Sequence, residues 1–203
     1  MAERVGSVIL ASSSPRRRDL LGQLGLVFVV SPSDIDESEL PGEDPVAYVR
    51  RLAADKAEAA SSGPDDVVIA ADTTVDVDGT ILAKPEDEAD ARRMLQMLSG
   101  RAHRVHTGVA VRYRGSVIAG VATTMVKIAP ITSHTLDWYI ATGEPFGKAG
   151  AYAIQGEGAG LVEGVQGSTS NVIGLPLALL DALFTQHGLS LPEMVENSKQ
   201  TAD

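Results

Sequence analysis

Four sets of residues in this 203-residue chain, three of them continuous stretches, carry side chains whose types and spacing suit the handling of anions. The first is Val8-Ile9-Leu10-Ala11 followed by Ser12-Ser13-Ser14-Pro15-Arg16-Arg17-Arg18. This is an apolar run that reads as a strand, a hydroxyl-rich turn and cap, and a proline whose fixed φ suits the first position of a helix. Unpaired N–H groups at a helix start attract phosphate or carboxylate oxygens, and guanidinium groups pair with the same oxygens. The plainer reading is a capped helix with a basic, solvated face. Positive charge at a helix N-terminus opposes the macrodipole, however, so these arginines point to something other than helix stability.

The second stretch ends the apolar run Val67–Ala71 at Asp72-Thr73-Thr74. A carboxylate at the end of a buried strand faces the crevice where α/β sheets bind ligands, and there it can orient metal-bound water or take its proton; an Asx turn is the alternative. The third, Asp34-Ile35-Asp36-Glu37, offers hard oxygen ligands for Mg²⁺ or Mn²⁺, or else a solvated loop. The fourth pairs two lysines. Lys56 falls toward the apolar stripe of a helix and either snorkels to its edge or reaches into a cleft. Lys84 precedes Pro85, which holds its backbone extended and suits a phosphate contact, although a surface lysine reads the same way.

These groups need elements to hold them. Val8–Ala11 and Phe28–Val30 read as short strands around the Pro15 helix. Asp44 caps a helix that opens with Pro45 and runs to about Ser61, with Val46, Val49, Leu52, Ala53, Lys56 and Ala57 at helical spacing. Asp78-Gly79 joins Val75–Val77 to Thr80–Leu82 as a hairpin, and Arg114-Gly115 joins Val105–Tyr113 to Ser116–Lys127. Helices are expected from Glu86 to Leu98, from a Thr132 or Ser133 cap to Thr142, and from Pro176 to His187. Eight of the 20 glycines lie between Gly147 and Gly174, where backbone can approach a ligand closely. The chain reads as one α/β domain over residues 1–203, with residues 189–203 a frayed tail.

Composition excludes several classes. There is no cysteine, hence no disulfide, thiolate metal site or cysteine nucleophile. The formal net charge of −10 disfavours stable binding to nucleic acid or anionic membranes, so an anionic partner should be small and locally recruited. A nucleotide carrying a divalent metal fits that limit. No run approaches the about 20 apolar residues of a membrane span, and the apolar part of MAERVGSVIL is short for a signal peptide, so a cytoplasmic protein is expected. His103, His106, His134 and His187 show no metal-binding spacing. The P-loop and the nucleophile elbow are missing, and Gly156–Gly160 lacks the strand-to-helix setting of a dinucleotide fingerprint.

Taken in order, ASSSPRRRDLL, RLAADKA, AADTTV, ILAKP, LSGRAHRVHTGVAV, FGKAGAYAIQGEGAGLV and NVIGLPL resemble the Maf family of nucleoside triphosphate pyrophosphatases, over about Val8 to Leu180. The resemblance implies an elongated α/β fold: a mixed sheet with flanking helices and two lobes around a central cleft, similar to inosine triphosphate pyrophosphatase. It also implies a chain that is often a homodimer, and metal-dependent cleavage of a nucleoside triphosphate to the monophosphate and pyrophosphate. By the same resemblance Asp72 is the proton acceptor, and Glu37, Lys56 and Lys84 are metal-binding or charge-stabilising partners, with Glu37 and Asp72 as metal ligands. Ser12 and Arg17 grip phosphates. Arg16, Thr73 and Gln155 match the branch acting on dTTP and UTP, where the branch acting on 7-methyl-GTP carries tryptophan, glutamine and glutamate. A glutamine amide offers donors and an acceptor to the O4/N3 edge of uracil or thymine. Thr169 stands where many relatives have an aromatic residue, which bears on base discrimination. Two alternatives accompany this expectation: the same chemistry on 7-methyl-GTP or another modified nucleotide, and a nucleotide-binding regulator of septum formation.

Overall fold

A computed structural model describes residues 5–200, with side chains to residue 196. It is a mixed α/β structure with a seven-stranded sheet among the described residues. The strands are β1 (Val8–Leu10), β2 (Val29–Val30), β3 (Val67–Val77), β4 (Thr80–Leu82), β5 (Ala102–Tyr113), β6 (Ser116–Ile128) and β7 (Val162–Gln166). Their order is β2-β1-β3-β5-β6-β7, with β4 paired to β3. The helices are α1 (Pro15–Leu24), α2 (Pro45–Ala59), α3 (Glu88–Leu98), α4 (Ser133–Ala141), α5 (Thr169–Ile173), α6 (Leu177–Gln186) and α7 (Leu191–Gln200). None is long and apolar enough to cross a membrane. The chain divides into two compact units: Met1–Asp72, Thr107–Ala122 and Gly174–Asp203 form the first, and Thr73–His106 with Thr123–Ile173 the second.

In the first unit β1 runs parallel to both β2 and β3, with Ile9 opposite Val29 and Val68. Parallel neighbours require crossovers, which α1 and α2 supply. Asp44 caps α2 by accepting from the Val46 and Ala47 amides at 2.9 and 3.1 Å. The helix lies close on the sheet because its contact residues are small. Ala53, Ala57 and Ala60 meet Ile9, Ala11, Val68, Ala70 and Ala110. At Gly108 a β-carbon would stand 2.0 Å from the Val49 carbonyl oxygen, so only glycine fits there. Val46, placed by its spacing in the apolar stripe, is instead 40 % exposed at the first turn.

The second unit has its own core, in which Val75, Val77, Leu82, Leu95, Leu98, Ile128 and Tyr139 are buried together. Asp78 and Gly79, like Arg114 and Gly115 in the first unit, have positive φ, the geometry that a two-residue hairpin needs. Helix α3 begins at Glu88 rather than Glu86, because Asp87 takes the cap position and accepts from the Asp90 amide at 2.8 Å. The glycine-rich stretch holds two 3₁₀ turns, strand β7 and the short helix α5.

The C-terminal segment departs from the expected frayed tail over 189–203. It forms α7, with Leu191 buried and the Ser190 hydroxyl accepting from the Glu193 amide at 3.3 Å. Ser190-Leu191-Pro192-Glu193 is a capping-box pattern, a start signal present in the sequence. Residues 201–203 lie outside the described part of that tail.

Candidate active site

Asp72 does not sit at the end of a strand or in an Asx turn. It lies inside β3, which continues through Thr73, Thr74 and Val75 because β-branched side chains suit the pleat and because Val75–Val77 pair with β4. Lys56 reaches it from α2. The Lys56 Nζ is 2.7 Å from Asp72 Oδ1 and 2.8 Å from Glu37 Oε1, so one ammonium bridges both carboxylates. Lys56 and Asp72 are each 8 % exposed, whereas the Glu37 side chain is 48 % exposed. The lysine thus enters the site instead of snorkelling away from it, and its burial requires the paired carboxylates.

The loop carrying Glu37 is held by groups that its composition alone did not reveal. Ser33 Oγ donates to the Lys56 carbonyl at 2.7 Å, and the Tyr48 hydroxyl donates to the Glu37 carbonyl at 2.9 Å. Arg51 donates to both carboxylate oxygens of Glu43 at 2.7 Å and to the Ser38 carbonyl at 3.0 Å. Burial, reinforced by the charges of Asp72 and Glu37, pushes the Tyr48 phenol up to about 12, so it remains a donor. Asp36 is occupied by Ser38, accepting from its amide at 2.9 Å and its hydroxyl at 2.6 Å. Of the acidic stretch, Glu37 is therefore the carboxylate brought to Lys56. Tyr48 and Arg51 stand three residues apart on α2, a spacing that marks one helix face.

At the start of α1, Pro15 occupies the first turn, and Ser14 has the extended backbone of a cap but makes no side-chain capping bond. Ser12 is the hydroxyl used. It is buried, and its Oγ accepts from the Ser14 amide at 3.3 Å and from Arg17 Nη1 at 3.0 Å. Arg17 Nε donates to the Gly174 carbonyl at 2.8 Å. Burial lowers the Arg17 guanidinium from its ordinary value, and the charges of Asp72 and Glu37 partly offset this, so Arg17 lies within electrostatic reach of both. Burial likewise lowers half-buried Arg16. Arg18 points to solvent beside Asp19, at 3.5 Å.

The first unit thus holds the Glu37–Lys56–Asp72 cluster and the Ser12–Arg17 pair, with Arg17 within electrostatic reach of both carboxylates. Thr73, Lys84 and Gln155 belong to the second. There Thr73 is half-buried, and Lys84 and Gln155 are exposed. Lys84 adjoins Ala83, whose carbonyl accepts from the Gly150 amide at 3.1 Å.

The first unit combines two carboxylates and an ammonium with a guanidinium–hydroxyl pair at a helix start, on an α/β scaffold. Interleaved positive groups and carboxylates of this kind suit a small anion. The fold is similar to that of Ham1 proteins: those of Coxiella burnetii and Staphylococcus aureus superpose with a TM-score of 0.55 at 16 % identity, covering 89 % and 90 % of this chain and 98 % and 100 % of theirs. Residues 7–187 match the family of Maf-like proteins, and the chain belongs to the Maf family. It is 53 % identical over 189 residues to the dTTP/UTP pyrophosphatase of Anaeromyxobacter dehalogenans strain 2CP-C, which spans 91 % of this chain and 96 % of that protein. It is 52 % identical over 186 residues to the dTTP/UTP pyrophosphatase of Myxococcus xanthus strain DK1622, with 91 % and 94 % covered.

Proposed function

We propose that this protein is a divalent-metal-dependent pyrophosphatase that hydrolyses dTTP and UTP, and modified pyrimidine counterparts, to the nucleoside monophosphate and pyrophosphate. The observation that carries the reading is the Lys56 ammonium shared by Asp72 and Glu37, with Arg17, bonded to Ser12, within electrostatic reach of both carboxylates. Asp72 takes the proton of the water that attacks the α-phosphorus, and the 2.7 Å contact with Lys56 orients its carboxylate. Lys56 and Arg17 offset the charge that develops on the phosphoryl oxygens. Lys84 supplies further positive charge toward the leaving pyrophosphate, and Arg16, Thr73 and Gln155 select the pyrimidine.

The donor set fits Mg²⁺ or Mn²⁺. Such ions take one or two carboxylates and complete their shell with water and substrate phosphates. Glu37 and Asp72 are two hard carboxylates close enough to share one ammonium, and no group of three or more His, Cys, Asp or Glu converges among the described residues. Glu37 and Asp72 would hold the ion, which neutralises phosphate charge when bound. We place the reaction in the cytoplasm, on the free nucleotide pool.

The test is pyrophosphate release from dTTP, UTP, CTP, GTP, ATP, ITP and 7-methyl-GTP with Mg²⁺ or Mn²⁺, with Asp72→Asn as control. Release confined to dTTP and UTP and lost in the variant is the expected result. Release centred on another nucleotide overturns the roles of Arg16, Thr73 and Gln155. No release from any of them overturns the pyrophosphatase reading.

A further inference from the structure

Gln155 is exposed and makes no capping bond with its side chain, and the place from which that side chain extends is set by the backbone that bears it. That backbone is held on both sides by one pair of residues. Ahead of Gln155, the Ala153 amide donates to the Tyr139 hydroxyl at 3.1 Å. Beyond it, the Glu157 amide donates to Glu144 Oε2 at 2.8 Å and the Gly158 amide to Oε1 at 3.3 Å. The pair is itself joined, the Tyr139 hydroxyl donating to Glu144 Oε1 at 3.4 Å.

A carboxylate suits this place because it has two acceptor oxygens and no donor, and charge strengthens its bonds to amides. The fit leaves no slack. A β-carbon at Gly156 would stand 2.9 Å from Glu144 Oε2, and one at Gly158 would stand 2.5 Å from both the Tyr139 hydroxyl and the Ala153 carbonyl oxygen. Tyr139 is fully buried on α4, and its burial raises the phenol well above its usual range, so it stays a donor.

The geometry points to Glu144 and Tyr139 as positioning residues for base selection: a clasp on residues 153–158 that aims the Gln155 amide at the pyrimidine edge. This rests on the reading of Gln155 as the base-selecting residue. A glutamine on a loose turn would present donor and acceptor with equal ease and lose the distinction between the uracil edge and the cytosine edge.

The test compares kcat and KM for UTP and CTP, which differ at that edge, in the full-length protein and its Gln155→Ala, Glu144→Ala, Glu144→Gln and Tyr139→Phe variants and the Gln155→Ala/Glu144→Ala double variant. Melting temperature is followed in parallel. The clasp predicts that Glu144→Ala and Tyr139→Phe each lower the UTP-to-CTP ratio of kcat/KM by about tenfold, the scale of one recognition hydrogen bond. Glu144→Gln, which keeps one acceptor oxygen, recovers part of the loss. The double variant shows no further loss beyond Gln155→Ala.

An unchanged ratio in Glu144→Ala and Tyr139→Phe, with a collapsed ratio in Gln155→Ala, overturns the clasp and leaves the Gln155 reading standing. Equal losses on both nucleotides make the pair a structural brace and overturn the proposal too. An unchanged ratio in Gln155→Ala overturns the reading of that residue and the clasp with it. Tyr139→Phe removes a single oxygen, so the comparison survives if Glu144→Ala does not fold.

Discussion

Asp72 and Asp76 stand four residues apart on β3 and are similarly buried, at 8 % and 6 % exposure, yet their oxygens are engaged in different ways. Asp76 is tied to fixed structure. It accepts from the Gly79 amide at 2.7 Å, which closes the β3–β4 turn, and it faces His106 Nε2 at 3.3 Å and Arg104 at 3.7 Å. His106 is fastened in turn to Thr123 at 2.8 Å. Asp72 meets the ammonium of a long side chain, which it shares with half-exposed Glu37. A carboxylate bonded to a turn amide braces the backbone. One bonded to a side-chain cation can exchange that partner for a water molecule, the arrangement that a general base needs.

The sharpest way to break this contrast is Asp72→Asn. It should reduce kcat on UTP by about 10³-fold, within the usual range for a general base, and should also lower the melting temperature, because buried Lys56 then keeps only the half-exposed Glu37 carboxylate. Near-normal turnover would end the assignment of Asp72.

Lys56→Met comes next. It leaves the Asp72 carboxylate buried without its cation and should destabilise the protein by about 3 kcal/mol in urea titration. Adding Asp72→Asn should restore most of that loss, because no buried charge is then left unpaired. If the double variant is no more stable than Lys56→Met, the two residues are not coupled.

The third prediction concerns pH and the second unit. His103 is buried against the Tyr152 hydroxyl at 2.7 Å, and burial lowers its imidazole from 6.5 to about 4, with Asp76 pulling weakly the other way. Below pH 6.5 the unfolded chain gains a proton that the folded chain does not take up until about pH 4. Stability from this group is therefore complete above pH 6.5 and is lost as pH falls toward 4, by up to about 3 kcal/mol. Urea midpoints measured from pH 7 to 4 should fall in the wild type and fall less in His103→Gln. Equal slopes would remove His103 as the cause.

The smallest effect is expected for Asp76→Asn. The amide oxygen still serves Gly79 while the charge facing His106 and Arg104 is lost, so stability should fall by about 1 kcal/mol and kcat stay within a few-fold. A loss of kcat as large as that of Asp72→Asn would erase the distinction between the two carboxylates.

Much of the scaffold was legible because local rules produce it. Pro15 and Pro45 at helix starts, the Asp44 cap and the Asp78-Gly79 and Arg114-Gly115 turns follow from the conformations those residues favour. Asp72 was legible as a chemical candidate but not as a mid-strand residue, since its turn-forming tendency was overridden by pairing of β3 with β4. Helix α7 has a legible start at Ser190 and Glu193, but its few apolar residues leave only a short helical stripe behind that cap. Tyr48, Arg51, Tyr139 and Glu144 carried no motif of their own. Each acts on a backbone atom of another segment, and such a partner cannot be read from spacing.

By itself the sequence determined which residues carry charge, where the chain turns and where helices begin, since these depend on side-chain chemistry and neighbouring dihedrals. Only the tertiary structure decided which carboxylates share Lys56, that Asp36 turns to Ser38 while Glu37 reaches the site, and that Asp76 braces a turn. Those outcomes depend on distances across the sheet and from α2 to β3, and close approach at Gly108 and the small residues beneath α2 brings that helix onto the sheet.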